Sequence, residues 1–453
     1  PFSLSHIDLE DPSVYRLFAE ANTRGVFQLS SNPSIRELFA KLEPRSIEDL
    51  AVGCALYRPG PLDSRAYWDG EEDPEKRKER GMSMTTRSAV EEYLRRRGGR
   101  SKVRPVHPLV DEILGETYGV LIYQEQILKI ATVCAGYTSV EADRLREAVG
   151  KKKQEMLRAE KPKFIKGATA ILGSPSIANS LWDFIEMFGN YGFNKAHSVS
   201  YAMLSYQTAW FKRHHPAIFY AALINQELRV RNQDRMVEYV YDAPRNGVEV
   251  LQPDIRTAGP MCQVVEGGAQ IRMGLEGVKG ISANGSTYLA KLMADPDNHE
   301  LDAFLLAAAP KALKNSLVVD MVEIGLMDSM IDVDPSMGIS EKLHLRGRII
   351  AALEHVNLWR KKCADHPLCP SGQGFYSDVE ALLKEKVTYY ELRDLEKEGN
   401  RRGYDKWREA LHAFHTFHLN LDHVLSRENE VLGLFVSGDP LASYEDLISG
   451  AGL

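Results

Sequence analysis

Val199, Ala202, Met203, Tyr206, Ala209 and Trp210 recur at three- and four-residue intervals, the spacing that gathers apolar side chains on one face of an α-helix. His214-His215-Pro216 ends that helix, because proline lacks an amide proton and its ring collides with the preceding turn. A second helix is read from Tyr137 to Lys153, where Thr138 with Glu141 three residues on makes a capping box and the lysines fall at the far end. Tyr118–Gln126 reads as a short buried strand entering a helix whose apolar residues Ile127, Ile130, Ala131 and Cys134 share one face. Helical patterns broken by Gly/Pro loops dominate residues 1 to about 225. From about 226 to 330 short strands and helices surround Gly274–Gly280 and Ile324-Gly325. Residues 331–430 are largely helical after Ser377, and Val431–Val436 reads as a strand. The expected fold class is mainly α with small β elements.

A length of 453 residues exceeds what one hydrophobic core supports, so two to four structural units are expected. No apolar run approaches twenty residues and no secretory leader opens the chain, so composition implies a soluble cytoplasmic protein without a membrane span. Five cysteines, odd in number and sparse, argue for reduced thiols. A formal net charge of -7 argues against coating nucleic acid with the whole surface but leaves room for local basic grooves. One charged, arginine-rich stretch, Asp69 to Arg104, is read as an exposed excursion, either a solvated loop or a contact with DNA phosphate. The chain opens on Pro1 and stops at Leu453, which suggests either ends cut from something longer or one product of a divided gene.

Tyr57-Arg58-Pro59-Gly60-Pro61 holds an arginine before a proline, a position forced out of helical geometry, with Gly60 free to turn sharply between two stiff rings. A planar cation held in this way suits bidentate recognition of phosphate, though the segment also serves as a plain structural turn. Gly189–Ser198 leads straight into the helix of Val199–Trp210, so its backbone N–H groups, Lys195 and His197 crowd the positive helix end and would make an anion site. Alternatively Asn194 or Ser198 caps the helix and Lys195 is solvated. Gln124 and Gln126, at the strand-to-helix joint, have the chemistry to bind a base or phosphate or to brace the joint. Arg144, Arg146, Lys151, Lys152 and Lys153 are denser than a helix C-terminus needs, which suits a phosphate-facing ridge.

Four segments occur in order: Arg24–Leu29, Ala55–Leu62, Tyr123–Gln126 and Asp143–Lys153. They are followed by Tyr191–Ser198 and Ser205–Thr208. Together they resemble the fingers of the bacterial DNA polymerase III alpha subunit, the family C replicative DNA polymerases. Gly274–Ile281 resembles that family's helix-hairpin-helix, Asn315–Asp328 the segment after it, and Leu432–Leu441 the passage toward its oligonucleotide-binding domain, with Asp439 where the family usually has His. The resemblance implies a helical fingers domain, a helix-hairpin-helix unit and a helical carboxy-terminal zone. It assigns 1–25 to the end of a palm or connector, 26–225 to fingers and 226–330 to connector and helix-hairpin-helix. Residues 331–430 become a divergent helical zone and 431–453 a lead-in to a following domain.

By the same resemblance the chain is part of a DNA-directed DNA polymerase, a nucleotidyltransferase inactive by itself. The aspartates that bind Mg2+ would lie in a palm outside it, so none of its own residues is assigned a catalytic role. Arg58, Gln124, Arg146, Tyr191, Asn194, Lys195 and His197 are implied to meet the incoming dNTP; Lys151, Lys152, Lys153, Gly277, Lys279 and Gly280 are implied to meet DNA. Partners would be primer-template, dNTP and the palm-bearing segment; no clamp-binding peptide is visible, which leaves the sliding clamp open. The competing reading is a non-catalytic DNA-binding or replisome-assembly protein derived from such fingers. Apart from this family, Cys363, His366 and Cys369 have spacing suited to zinc, with His355 as a distant fourth ligand, against the plainer reading of a structural loop.

Overall fold

The protein is described as a computed structural model that covers residues 2–30, 32–58, 61–62, 67–68, 86–150, 154–188, 192–265, 267–308, 313–331, 333–365, 375–393 and 395–433. The fold is mainly helical with small β elements, as the sequence pattern implies. The chain divides into two compact units, Pro1–His215 and Pro216–Leu453.

In the first unit the described elements run α1 (Pro12–Ala19), α2 (Pro33–Leu42), α3 (Ile47–Leu56), the two-residue strands β1 (Tyr67–Trp68) and β2 (Thr86–Arg87), α4 (Ala89–Arg97) and α5 (Pro108–Leu114). There follow α6 (Gln124–Lys129), α7 (Ser139–Gly150), α8 (Gln154–Leu172), α9 (Pro175–Phe188) and α10 (Lys195–His214). The Thr138–Glu141 box closes both ways, with the Thr138 amide on the Glu141 carboxylate at 2.9 Å and the Glu141 amide on the Thr138 hydroxyl at 3.4 Å. Ile127, Ile130, Ala131 and Cys134 are buried on one side as their spacing requires, although Ile130–Cys134 widens into a π-turn. Phe164 and Trp182, both fully buried with ring centres 5.3 Å apart, join α8 to α9.

Helix α10 is the spine of this unit. Ser198 donates its hydroxyl proton to the Ala51 carbonyl in α3. Gly53 is required beside that contact: a Cβ there would lie 2.5 Å from the Phe39 ring of α2. The Arg24–Leu29 segment is stitched to the far part of α10. The Phe27 amide donates to Thr208 Oγ1 at 3.1 Å, Ser205 Oγ donates to the Phe27 carbonyl at 3.0 Å, and buried Lys212 donates to the Arg24 carbonyl at 3.0 Å.

The arginine run is a departure from the exposed excursion expected over Asp69–Arg104. Residues 69–85 lie outside the described ones, but α4 buries Val90 and Tyr93, and its arginines rivet it to its surroundings. Arg96 pairs with buried Glu92 at 2.7 Å and donates to the Tyr118 carbonyl; Arg97 pairs with Asp49 at 2.8 Å.

The second unit opens with α11 (Pro216–Val230) and α12 (Gln233–Asp242), joined by the Tyr220 hydroxyl, which donates to Asp242 Oδ2 at 2.6 Å. A three-stranded sheet follows, in the order β3 (Glu249–Leu251), β5 (Gln270–Arg272), β4 (Gln263–Val264), with β3 parallel and β4 antiparallel to β5. Buried Ile271 sits at its centre. Beyond it lie a 3-10 turn at Leu275–Gly277, then α13 (Ala283–Met293), α14 (Leu301–Ala307) and α15 (Asn315–Glu323). The carboxy-terminal helices are α16 (Ile339–Leu353), α17 (Val356–Asp365), α18 (Phe375–Glu391), α19 (Glu398–Thr416) and α20 (Leu421–Leu432). Buried Arg346 of α16 donates to both oxygens of Asp328 at 2.8 and 2.6 Å, and Arg427 of α20 joins Glu323 at 2.9 Å.

The strand expected at Val431–Val436 is overturned where it is described. Asn420 caps α20, and Val424, Leu425, Glu428, Val431 and Leu432 are buried at helical spacing until Gly433 ends the helix at φ +75°. The branched run that mimics a strand is the apolar face of a helix C-terminus.

Candidate functional site

Arg58 follows the last turn of α3 and folds back on it: Nε and Nη2 both donate to the Ala55 carbonyl, at 2.9 and 2.8 Å. Its guanidinium lies 4.2 Å from the centre of the Phe193 ring, a cation–π contact. Burial pulls Arg58 down to about 10, which leaves it a cation at neutral pH. Pro59 and Gly60 lie outside the described residues, so the aim of Arg58 is read from Ala55 and Phe193.

Phe193 is pinned by the strand-to-helix joint. Its amide donates to the Ile122 carbonyl at 3.2 Å, and the Gln124 amide donates back to the Phe193 carbonyl at 2.8 Å, an isolated bridge centred on Tyr123. The Gln124 side chain spans the same junction, donating to the Gly192 carbonyl at 3.4 Å and accepting from Arg146 Nη1 at 3.3 Å. Arg146 also pairs with Asp143 at 2.8 Å. Gln126 points inward instead. Its Oε1 accepts the Ile122 and Tyr123 amides at 2.9 and 3.0 Å, and its Nε2 donates to Thr117 Oγ1 at 2.8 Å. Of the two glutamines, the buried one braces the joint and the half-buried one faces Gly192 and Arg146.

At the start of α10, Asn194 is the cap: its Oδ1 accepts the His197 amide at 2.7 Å. Its Nδ2 donates to Glu125 Oε1 at 2.9 Å, while Glu125 Oε2 accepts the Lys195 amide at 2.9 Å. The first-turn amides that would be free for an anion are thus partly engaged by the chain itself, and a carboxylate already sits at the positive helix end. Lys195 Nζ pairs with Glu116 Oε2 at 2.5 Å and lies 5.6 Å from the Tyr123 ring centre. The exposed His197 ring packs at a tilt against Tyr201, centres 4.2 Å apart and planes inclined at 50°, and lies 5.6 Å from Phe193. Arg58, Gln124, Arg146, Asn194, Lys195 and His197 therefore form one neighbourhood around Phe193 and Tyr123. Tyr191, Lys151, Lys152 and Lys153 lie outside the described residues. The carboxylate of Glu116 was invisible to sequence reasoning, since nothing local signals a partner so distant along the chain.

In the second unit the Gly277 amide donates to the Gly274 carbonyl at 3.0 Å within the hairpin, while the Lys279 amide donates to the Val431 carbonyl of α20 at 2.9 Å, so both amides are engaged by the chain itself. Gly280 takes φ +97°, a conformation that side-chain-bearing residues avoid, and a Cβ there would lie 3.2 Å from Leu317. A cavity of about 430 Å³ opens beside it, lined among others by Arg231, Gln233, Glu276, Lys279 and Ser282.

Cys363 is buried in the last turns of α17, while His366 and Cys369 lie outside the described residues. His355 precedes α17 with its ring 6.5 Å from that of Trp407, and burial lowers its pKa. Among the described residues no group of three or more His, Cys, Asp or Glu is arranged to hold a metal ion. Among them, too, no helix is long and apolar enough to cross a membrane.

The first unit thus brings scattered cation-bearing segments to one helix start, and the second carries a glycine hairpin. Residues 1–78 and 79–171 match the bacterial DNA polymerase III alpha subunit finger domain, and residues 247–334 match a helix-hairpin-helix motif. The DNA polymerase III subunit alpha of Thermus aquaticus is 30% identical over 97% of this chain and 31% of its own length. That of Mycobacterium tuberculosis strain H37Rv is 33% identical over 98% and 33%, and that of Aquifex aeolicus 35% identical over 71% and 25%. The chain belongs to the DNA polymerase III alpha subunit family. It spans a quarter to a third of the length of these curated relatives.

Proposed function

We propose that the chain is the nucleotide- and DNA-binding part of a template-directed DNA polymerase. The observation that carries this reading is the convergence of Arg58, Gln124, Arg146 and Asn194–His197, from four separate segments, on Phe193 and Tyr123. Phosphoryl transfer spreads negative charge over the triphosphate, and fixed cations in a partly dry setting neutralise it without reorganising. In this reading Arg58 and Lys195 grip the triphosphate. Arg146 and Gln124 shape the same pocket, and Tyr191 and His197 lie beside the incoming sugar and base. Residues 26–225 are then the fingers, and 226–330 guide duplex through Gly277, Lys279 and Gly280, with Lys151–Lys153 on template phosphates. The carboxylates that bind Mg2+, which activates the attacking hydroxyl and stabilises the leaving group, belong to a palm outside this chain. Primer-template, dNTP and that palm are the partners; the cytoplasm is the expected location.

Arg58→Ala or Lys195→Ala in the complete polymerase tests the grip. Each removes a charge-assisted contact, so nucleotide binding should weaken by about 1.5–3 kcal/mol, with primer-template affinity nearly unchanged. Nucleotide affinity equal to the parent's in both variants would remove the two residues from the site.

A further inference from the structure

We infer that Glu116 is a displaceable counter-ion for Lys195, a positioning residue that sets how tightly the nucleotide is held. The inference rests on the reading of Lys195 as a triphosphate contact. Lys195 is engaged by carboxylates at both ends, and the two engagements differ in kind. Glu125 receives the Lys195 backbone amide and the Asn194 side chain together, each at 2.9 Å, and so fixes the start of α10. The Glu116 carboxylate instead bonds the Lys195 ammonium, at 2.5 Å, from a 3-10 turn at Gly115–Thr117. The Lys195 and Glu116 side chains are 35% and 45% exposed.

Ion pairs this open are weakly held, because water screens the attraction and both side chains lose freedom in forming them. A triphosphate carries several charges and would outcompete a single half-exposed carboxylate for the ammonium. Until then Glu116 keeps the long lysine stem extended beside Tyr123, near where the phosphate would arrive, instead of sampling many rotamers. The cost is competition: breaking the Glu116 pair and approaching its negative charge both subtract from nucleotide binding. Glu125 is the built-in contrast, since displacing it would uncap a helix.

The test is steady-state nucleotide incorporation by the complete polymerase, comparing parent, Glu116→Gln, Glu116→Asp, Lys195→Ala and the double variant of Glu116→Gln with Lys195→Ala. Glu116→Gln should lower the KM for dNTP about two- to five-fold, the size of an exposed ion pair, without raising kcat. Glu116→Asp, which keeps the charge, should stay near the parent. In the Lys195→Ala background the effect of Glu116→Gln should shrink, because only the direct repulsion between the carboxylate and the triphosphate is left to relieve. A KM unchanged or raised by Glu116→Gln, while Lys195→Ala raises it, overturns the inference and leaves the triphosphate reading standing. If Lys195→Ala itself leaves KM unchanged, that reading fails and the inference falls with it. Thermal unfolding of each variant separates these outcomes from loss of fold.

Discussion

The Asn194 side chain caps α10 through its oxygen and ties that helix to Glu125 through its nitrogen, so one residue serves both the helix and the joint that faces it. Asn194→Ala should destabilise the first unit by about 1 kcal/mol, the usual worth of an N-cap, which a shift in the urea unfolding midpoint would report; an unshifted midpoint would mean the cap contributes nothing. Gln124 and Gln126 make the complementary pair. The sequence places both at a strand-to-helix joint, but two residues of separation at a bend are enough to send one into the core and leave the other beside Arg146. Gln126→Ala should strand buried amides and cost about 1–3 kcal/mol, whereas Gln124→Ala should act mainly on nucleotide affinity. Which glutamine plays which part was not legible, because it depends on Thr117 and Gly192, neither of which lies in the Tyr123–Gln126 segment that carries them.

Among the elements, α10 and the Thr138–Glu141 cap were readable because apolar periodicity and capping chemistry are local. The arginines of α4 and the end of α20 were not. Arg96 and Arg97 find partners in other segments, and a branched apolar run gives the same pattern at a buried helix end as in a strand. The α7 cap carries a pH signature. Lys163 and the Thr138 amide hold the Glu141 carboxylate at about 2, below its ordinary 4.5. A carboxylate lowered in the folded state adds stability that is fully present above about pH 4.5 and is lost as pH falls toward 2. The stability difference between parent and Glu141→Gln should therefore shrink over that window, and a difference flat from pH 5 to pH 2.5 would remove the effect. At the hairpin, Gly280→Val meets both a left-handed φ and the Leu317 side chain. It should weaken duplex binding; a folded variant that binds duplex as tightly as the parent would mark this glycine as a structural turn only.

At the scale of the molecule, 56 basic and 63 acidic residues leave a net charge of -7, so DNA binding has to come from local concentrations of charge. Such binding should be insensitive to sequence and fall steeply with added salt. The order of the motifs was legible from end to end; their convergence was not, since Arg58 and Phe193 meet only through the folding of α3 against α10. The most direct test of the account is primer extension by the protein mixed with a palm-bearing segment of the same polymerase. The account predicts no incorporation by this chain alone and template-directed incorporation by the mixture, reduced by Arg58→Ala and Lys195→Ala. A mixture of two folded proteins that binds primer-template yet incorporates no nucleotide would contradict it and favour a DNA-binding or assembly role.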